Sequence, residues 1–507
     1  MNEWLLALLV FSPVIGMLFL LFAPKNNEKM IKLIGIAATL PALFISVLLF
    51  IRHRAGFELG SLDIHWDWFS FADFPENPSL YEVPFELGID GLSLVMLVLT
   101  AILSTLSAVA SLGIKHGWKG YFLLFLLLQT GIMGVFAAGN LILFFIFFEI
   151  TLVPMFFLIG KWGYLEKERA AYSFLIYNGL GSAVLLIVIM VLFAKTGTSN
   201  IEALEQIITH GGMMLMSNIS EELKWGLLIG LIVAFGVKLP IFPLHSWMLK
   251  VHVQAPPAIV MLHAGVLLKI GAFGLIRFGL GIFPEQFSDI SYFIIVLGLV
   301  NLLYGAFLAL IQKDFKKVLA YSSISHMGIV LIGIGAMNEA GIQGAIFQVV
   351  SHGLIAAMLF FLVGVIYERT GTSIISEMGG LAKLLPAASG FLLVAGLASL
   401  GLPGMSSFVG EFMAFLGLFQ EEPMLGAIGA LGLILTAAYV LRAVLAITYG
   451  KGGEAASDWK DIQRAEWLPL CLLTGLIVLI GVYPAILADP LTDTLQNIMI
   501  GLGGDGR

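Results

Sequence analysis

Long apolar runs separated by short polar ones set the plan of this chain. Runs near twenty residues, the length a helix needs to cross a bilayer, recur about fourteen times. They fall at 4–23, 31–51, 90–112, 120–138, 141–160, 172–194, 225–249, 258–280, 290–311, 317–337, 342–366, 388–420, 425–449 and 467–488. The run at 388–420 is too long for one straight span and contains Gly401-Leu402-Pro403-Gly404, so it is expected to be interrupted there. The run at 225–249 carries Lys238 near its middle and Pro240 two residues later. A proline opens the helix and frees carbonyls, which at membrane depth must line a cavity or pack on protein. The predicted class is therefore an all-α polytopic membrane protein with its seventh and twelfth helices interrupted.

The two breaks resemble each other. Val237-Lys238-Leu239-Pro240 answers to Leu400-Gly401-Leu402-Pro403, and the stretch Leu268–Arg277 to Leu433–Arg442. Paired broken helices suggest duplication. Helices 4–8 and 9–13 would form two five-helix units, and an odd number of crossings inverts the second. The expected division is 1–112 (three helices and a loop), 120–280 (first repeat), 290–450 (second, inverted repeat) and 467–507 (last helix and tail).

Composition agrees: of 507 residues 59% are hydrophobic and 12% charged, with mean hydropathy +1.00. No soluble globular domain has this balance. The single Cys471 excludes a disulfide frame or a cysteine-ligated cluster, and the net charge of −7 says little. No stretch is left for a Rossmann fold, a flavin site or a cluster site. The N-terminus lacks a basic region and a cleavage site and reads as a retained first helix.

Basic residues orient the chain. With the N-terminus outside, seventeen of the 26 Lys and Arg fall in inner loops, among them Lys25, Lys115, Lys167, Lys313 and Arg464. Only Arg52, Arg54, Lys195, Lys224 and Arg507 fall outside. This is the positive-inside asymmetry, with both termini on the outer side. The outer segment 55–86 is acidic and aromatic and reads as a short ordered hairpin.

The candidate chemistry lies in ionisable residues inside spans, which are tolerated only when facing protein, water or a counter-charge. Glu149, set among phenylalanines, is the natural partner of Lys238. Closing that pair holds the lysine charged and opening it expels the proton; the plain alternative is a static pair locking two helices. Lys269 is too deep to snorkel. His326 and His352 sit beside small or polar residues and suit proton transfer, or else serve as helix contacts. Glu411 follows the second break and suits proton release, or caps the half-helix. His245 is expected to line the path, while His252 and His263 read equally as interhelical contacts. Asp90 begins the third span as a cap, and Arg277 and Arg442 can snorkel. There is no metal-ligand spacing, phosphate loop or nucleophile–base set.

Phe148-Glu149…Leu152-Val153-Pro154, Lys238-Leu239-Pro240…Pro243-Leu244-His245-Ser246-Trp247, Gln254-Ala255-Pro256, Leu267-Leu268-Lys269, Tyr321–Gly328 and Gly401-Leu402-Pro403-Gly404…Phe408-Val409-Gly410-Glu411-Phe412 together resemble the antiporter-like subunits of respiratory complex I, the NADH:quinone oxidoreductase. The resemblance spans essentially the whole chain and is best to the M-type branch, subunit 4 in mitochondria, which carries glutamate at the Glu411 position where sister subunits and multisubunit Na+/H+ antiporters typically carry lysine. Trp247-Met248-Leu249-Lys250-Val251 departs from the family's usual Trp-Leu-Pro-x-Ala, so no role passes to Lys250. The resemblance implies a proton-translocating subunit of a bacterial plasma-membrane complex, with Glu149 and Lys238 as modulating pair, Lys269, His326 and His352 as central relay and Glu411 toward the exit. It implies no cofactor in this chain: FMN, iron–sulfur clusters and quinone belong to partner subunits. Expected partners are two sister antiporter-like subunits, small membrane subunits and the lipid bilayer, and no nucleic acid. The rivals are the large subunit of a Na+/H+ antiporter, a hydrogenase membrane arm, and a non-conducting scaffold.

Overall fold

The structure is a computed structural model describing residues 3–71, 81–210, 219–451 and 459–503. The middle of the expected outer hairpin and Arg507 lie outside the described residues. Helices α1 (Glu3–Phe22), α2 (Glu28–Ala37) and α3 (Leu40–Arg54) lead to a two-stranded antiparallel ribbon, β1 (Ile64–Ser70) with β2 (Glu82–Leu87). Four long helices follow: α4 (Gly91–Ala110), α5 (Trp118–Ala137), α6 (Leu141–Trp162) and α7 (Lys167–Thr196). The amphipathic α8 (Ile201–His210) precedes the first interrupted pair, α9 (Glu221–Lys238) and α10 (Ser246–Gln254). The next span runs through α11 (Pro257–Leu262), a π segment (His263–Leu267), α12 (Lys269–Gly274) and a second π segment (Leu275–Leu280). After the short α13 (Pro284–Asp289) come α14 (Ser291–Ile311), α15 (Phe315–Gly335) and α16 (Glu339–Thr370). The short α17 (Leu381–Leu384) leads to the second interrupted pair, α18 (Pro386–Ser399) and α19 (Ser406–Glu421). The chain ends with α20 (Pro423–Tyr449), α21 (Arg464–Val482), α22 (Ala485–Ala488) and α23 (Thr492–Gly501).

Among the described residues twelve helices are long and apolar enough to cross a membrane. The two interrupted pairs stand apart from these because each half is short or carries charge. The expected interruption of the 225–249 run is observed: α9 ends at Lys238 and α10 begins at Ser246, so the lysine sits at the helix break. The expected 31–51 span lies within one of the twelve, Glu28–Arg54, whose helix is broken locally at Ala38-Thr39, with Pro41 in the first turn of the second part.

Helix starts follow from short polar side chains. The Asp90, Asn140, Ser220, Asp314 and Asn338 side chains each accept a backbone N–H two or three residues on, satisfying donors that have no partner within the helix. The spans at 257–280 and 339–370 are wholly buried along their most apolar windows. The outer helices turn Phe44, Ile187, Ile434 and Val482 outward, an apolar surface suited to lipid. α16 and α19 approach so closely that a Cβ on Gly344 would strike the Ala414 backbone and one on Gly410 the Gln348 backbone, the small-residue contact of membrane helices.

One local structure occurs twice. Thr196-Gly197-Thr198-Ser199 closes α7, and Thr370-Gly371-Thr372-Ser373 closes α16. Both glycines are left-handed, at φ 74° and 73°, which glycine adopts without penalty. In each the first threonine hydroxyl bonds back to the helix carbonyl four residues earlier, Leu192 or Ile366. The serine carbonyl accepts Leu141 N–H in one and Phe315 N–H in the other, and Ile201 and Ile375 return the bond to Gly139 and Lys313. The start of one helix is thereby clamped to the end of the next in the same way at two places, 174 residues apart.

Candidate functional site

Lys238 is buried at the C-terminal end of α9. Its ammonium lies 4.6 Å from the Phe148 ring centre and 5.8 Å from that of Phe174, so aromatic faces supply part of the lost hydration. Glu149, one residue beyond Phe148, is within electrostatic range, yet no ion pair within 4.0 Å joins the two. Glu149 Oε1 is buried without a hydrogen-bond partner. The two residues are thus neighbours without an ion pair or a hydrogen bond between them.

Lys269 is fully buried between the two π segments. A π turn leaves carbonyls unpaired and is frequent at functional sites. The Lys269 Nζ donates to the Ala264 carbonyl at 2.5 Å, inside the first π segment, and meets His352 Nδ1 at 2.6 Å. The His352 and His326 rings are 5.3 Å apart and share a cavity of about 10 Å³ with Ser322, Ser323 and Ser399, room for roughly one water. His326 Nδ1 accepts the Gln348 amide at 3.1 Å and lies 3.7 Å from Glu411 Oε1. Ser407 donates to Glu411 Oε1 at 2.8 Å. Glu411 is in the second turn of α19, so it is held by a serine and faced by a histidine and does not cap the half-helix.

Four of the seven candidates, Lys269, His352, His326 and Glu411, thus form one buried line across α12, α16, α15 and α19. Lys238 and Glu149 form a second group. His245, in the break before α10, meets Tyr304 on α14 at 3.2 Å and is not joined to the line. Three residues of the line escaped sequence reasoning: Gln348, Ser399 and Ser407. The last lies one helical turn before Glu411, a spacing that could have flagged it.

Two larger cavities open at opposite ends of α4. One of about 750 Å³ is lined by Lys115, His116, Tyr164, Glu368 and Glu466. The other, of about 380 Å³, is lined by Asp90, Glu202, Glu205, Arg277 and Thr494. There Asp90 and Arg277 pair at 2.9 Å, so Asp90 is an ion-pair partner as well as a cap and Arg277 is tethered, not snorkelling. Outside the spans, burial beside Glu202 and Glu86 pushes the Asp63 carboxyl up to about 6.

A family described as "NADH:quinone oxidoreductase/Mrp antiporter, TM" matches residues 138–436, which hold the broken helices and every member of the buried line. NADH-quinone oxidoreductase subunit M of Rhodobacter capsulatus is 33% identical over 98% of this chain and 96% of its own length. NADH-ubiquinone oxidoreductase chain 4 of Arabidopsis thaliana is 35% identical over 97% and 96%. Among solved structures, a chain of respiratory complex I from Thermus thermophilus superposes with a TM-score of 0.87 at 29% identity, covering 98% of this chain and 100% of that one.

Proposed function

The chain belongs to the NADH:quinone oxidoreductase/Mrp antiporter membrane family, and from that premise we propose that it is the proton-translocating M-type subunit of a complex I. The redox chemistry, with its flavin, iron–sulfur clusters and quinone, lies in partner subunits, so this chain is part of an enzyme without holding a redox site. It sits in the membrane arm, in a bacterial plasma membrane, beside sister antiporter-like subunits. The observation that carries the reading is the buried line of neighbouring ionisable side chains from Lys269 to Glu411.

The line supports the following transfer. Lys269 passes a proton along the 2.6 Å contact to His352 Nδ1. A water in the small cavity bridges to His326. Gln348 occupies His326 Nδ1, so the last step to Glu411 waits until that amide withdraws and the 3.7 Å gap closes. Upstream, Glu149 sets the charge on Lys238: closing toward it favours the ammonium and opening favours release. The two polar cavities serve as aqueous mouths. The twin Thr-Gly-Thr-Ser clamps support the inverted five-helix repeat, because three crossings between them put them at opposite membrane faces.

The test is NADH-driven proton uptake in inverted vesicles carrying the assembled complex. Lys269→Ala and Glu411→Gln should each cut uptake strongly. Assembled complexes of both that pump normally would leave a scaffold. The antiporter reading predicts instead that purified complex lacks flavin and iron–sulfur partners and exchanges Na+ for H+.

A further inference from the structure

The first helix break is not closed by its own chain alone. Pro240 has no N–H to continue the ladder, and inside a bilayer every freed backbone group needs a protein partner or a cavity. Two are met nearby. The Ile241 N–H reaches the Gly236 carbonyl at 2.9 Å, and the Trp247 indole N–H donates to the Val237 carbonyl at 3.1 Å. The Phe242 N–H turns to another helix. It donates to Asn301 Oδ1 on α14 at 2.7 Å, and the amide of the same asparagine donates to the Pro240 carbonyl at 3.4 Å.

Asn301 is fully buried in a stretch of α14 that is otherwise apolar from Phe293 to Leu303. An amide in such a place is costly unless it is bonded, and both of its ends go to the same three-residue target. Tyr304, three residues on and on the same helix face, meets His245 at 3.2 Å and packs on the Phe242 ring at 5.1 Å. α14 opens the second of the two repeats proposed above, whereas the break lies in the first. At the second break the chain supplies its own bonds: Gly401 N–H reaches the Ala398 carbonyl, Leu402 N–H that of Leu397 and Met405 N–H that of Leu402.

Lys238 is the last residue of α9, so the point at which α9 stops decides where its ammonium stands relative to Phe148 and Phe174. Without Asn301 the Phe242 N–H is an orphan donor, and the break has to rewind or shift to satisfy it. We propose that Asn301 is a positioning residue for the proton path: an amide supplied by the second repeat that fixes the end of α9 and with it the Lys238 ammonium beside Phe148. It carries no proton itself and acts through the backbone of residues 240–242. The proposal rests on the proton path described above.

Three substitutions separate positioning from mere packing. Asn301→Leu keeps the bulk and removes both bonds. Asn301→Thr is milder, because a threonine hydroxyl can bond back to its own helix. Asn301→Asp is the conservative variant, since a protonated carboxyl accepts and donates as the amide does. Each is introduced into the full complex beside Lys269→Ala, and NADH-driven proton uptake per assembled complex is measured together with amide hydrogen exchange over residues 239–245. Asn301→Leu and Asn301→Thr should assemble, exchange faster over that segment and lose on the order of 10²-fold in uptake, the effect of displacing a positioned group by about 1 Å. Asn301→Asp should restore both. Normal uptake in assembled Asn301→Leu or Asn301→Thr overturns the positioning role, while impaired Lys269→Ala leaves the path standing. Normal uptake in all of these overturns both. Reduced uptake with unchanged exchange over 239–245, or an Asn301→Asp variant as slow as Asn301→Leu, overturns the route through the break. Failure of both Asn301→Leu and Asn301→Thr to assemble is what a purely architectural contact predicts and counts against the proposal.

Discussion

Replacing Gly401 by alanine tests the Glu411 end of the path with an internal control three residues away. Gly401 and Gly404 both lie in the second helix break with positive φ, 75° and 90°. Alanine at either must hold a left-handed backbone, at a cost of about 1–2 kcal/mol. For a chain of this length that amounts to a Tm shift of roughly 1–2 °C, the same for both. Only one meets the carboxylate. A Cβ on Gly401 would lie on Glu411 Oε2 with Cδ at 3.1 Å, whereas one on Gly404 meets nothing within 4 Å. Ordinary carbon contacts sit near 3.5–4.0 Å, so Glu411 has to retreat by about 1 Å or break from Ser407. A displacement of that size can slow a positioned transfer by about 10²-fold, or roughly 2.7 kcal/mol of barrier. Thermal unfolding of the purified complex should show equal small losses for the two variants, and proton uptake should fall only for Gly401→Ala. Equal uptake in the two, at either level, would refute the placement of Glu411 as a transfer group.

Three further outcomes follow from contacts elsewhere. Asp90→Asn keeps a capping oxygen but loses the charge opposite Arg277, so Asp90→Ala should be about 1 kcal/mol less stable than Asp90→Asn in detergent unfolding. Lys316 is sandwiched between Tyr164 and Tyr367 at 3.8 Å and 4.1 Å; Lys316→Met should lose about 1–2 kcal/mol and Lys316→Arg should retain most of it, read in the same unfolding assay. Asp63 has its folded pKa raised to about 6 from 3.8, so its contribution to stability is fully present below the lower value and is lost as pH rises through the upper one. Asp63→Asn should therefore raise Tm relative to the parent at pH 7–8 and leave it unchanged near pH 4, and the opposite ordering would reverse the assignment.

Chain breaks were legible because their cause is local. Leu239-Pro240 and Gly401-Leu402-Pro403-Gly404 carry the backbone chemistry that stops a helix, and the Asp90 cap acts on the Ser93 N–H three positions away. The buried line was legible as a set of unaffordable charges, although not as a geometry. Which atom meets which depends on the π segments flanking Lys269, and these have no sequence signature: Leu262–Leu268 reads as ordinary helix. The lack of an ion pair between Glu149 and Lys238 was hidden for a related reason, since the lysine's position depends on where α9 stops. His252 and His263, whose Nε2 and Nδ1 meet at 2.9 Å, are eleven residues apart on separate helices, so hydropathy treats them as two isolated polar residues. The repeated Thr-Gly-Thr-Ser is four small residues at a 174-residue offset, against 163 and 165 for the matches at the breaks, and without the backbone bonds it makes it does not stand out from other loop segments.

The π segment at His263–Leu267 makes the path depend on winding as well as on side-chain identity. A π turn holds one residue more than the α turn it replaces, and each residue of α-helix advances the side-chain direction by about 100°. Winding the same residues as regular α-helix, with none removed, would turn Lys269 by about a quarter-turn, away from His352. Deleting one apolar residue there, for instance Val266, together with the π turn would leave the lysine facing as it does. The meeting of that lysine and that histidine is therefore a matter of counting: the span is one residue too long for a regular helix, and the π turn absorbs the surplus that would otherwise turn the charge away.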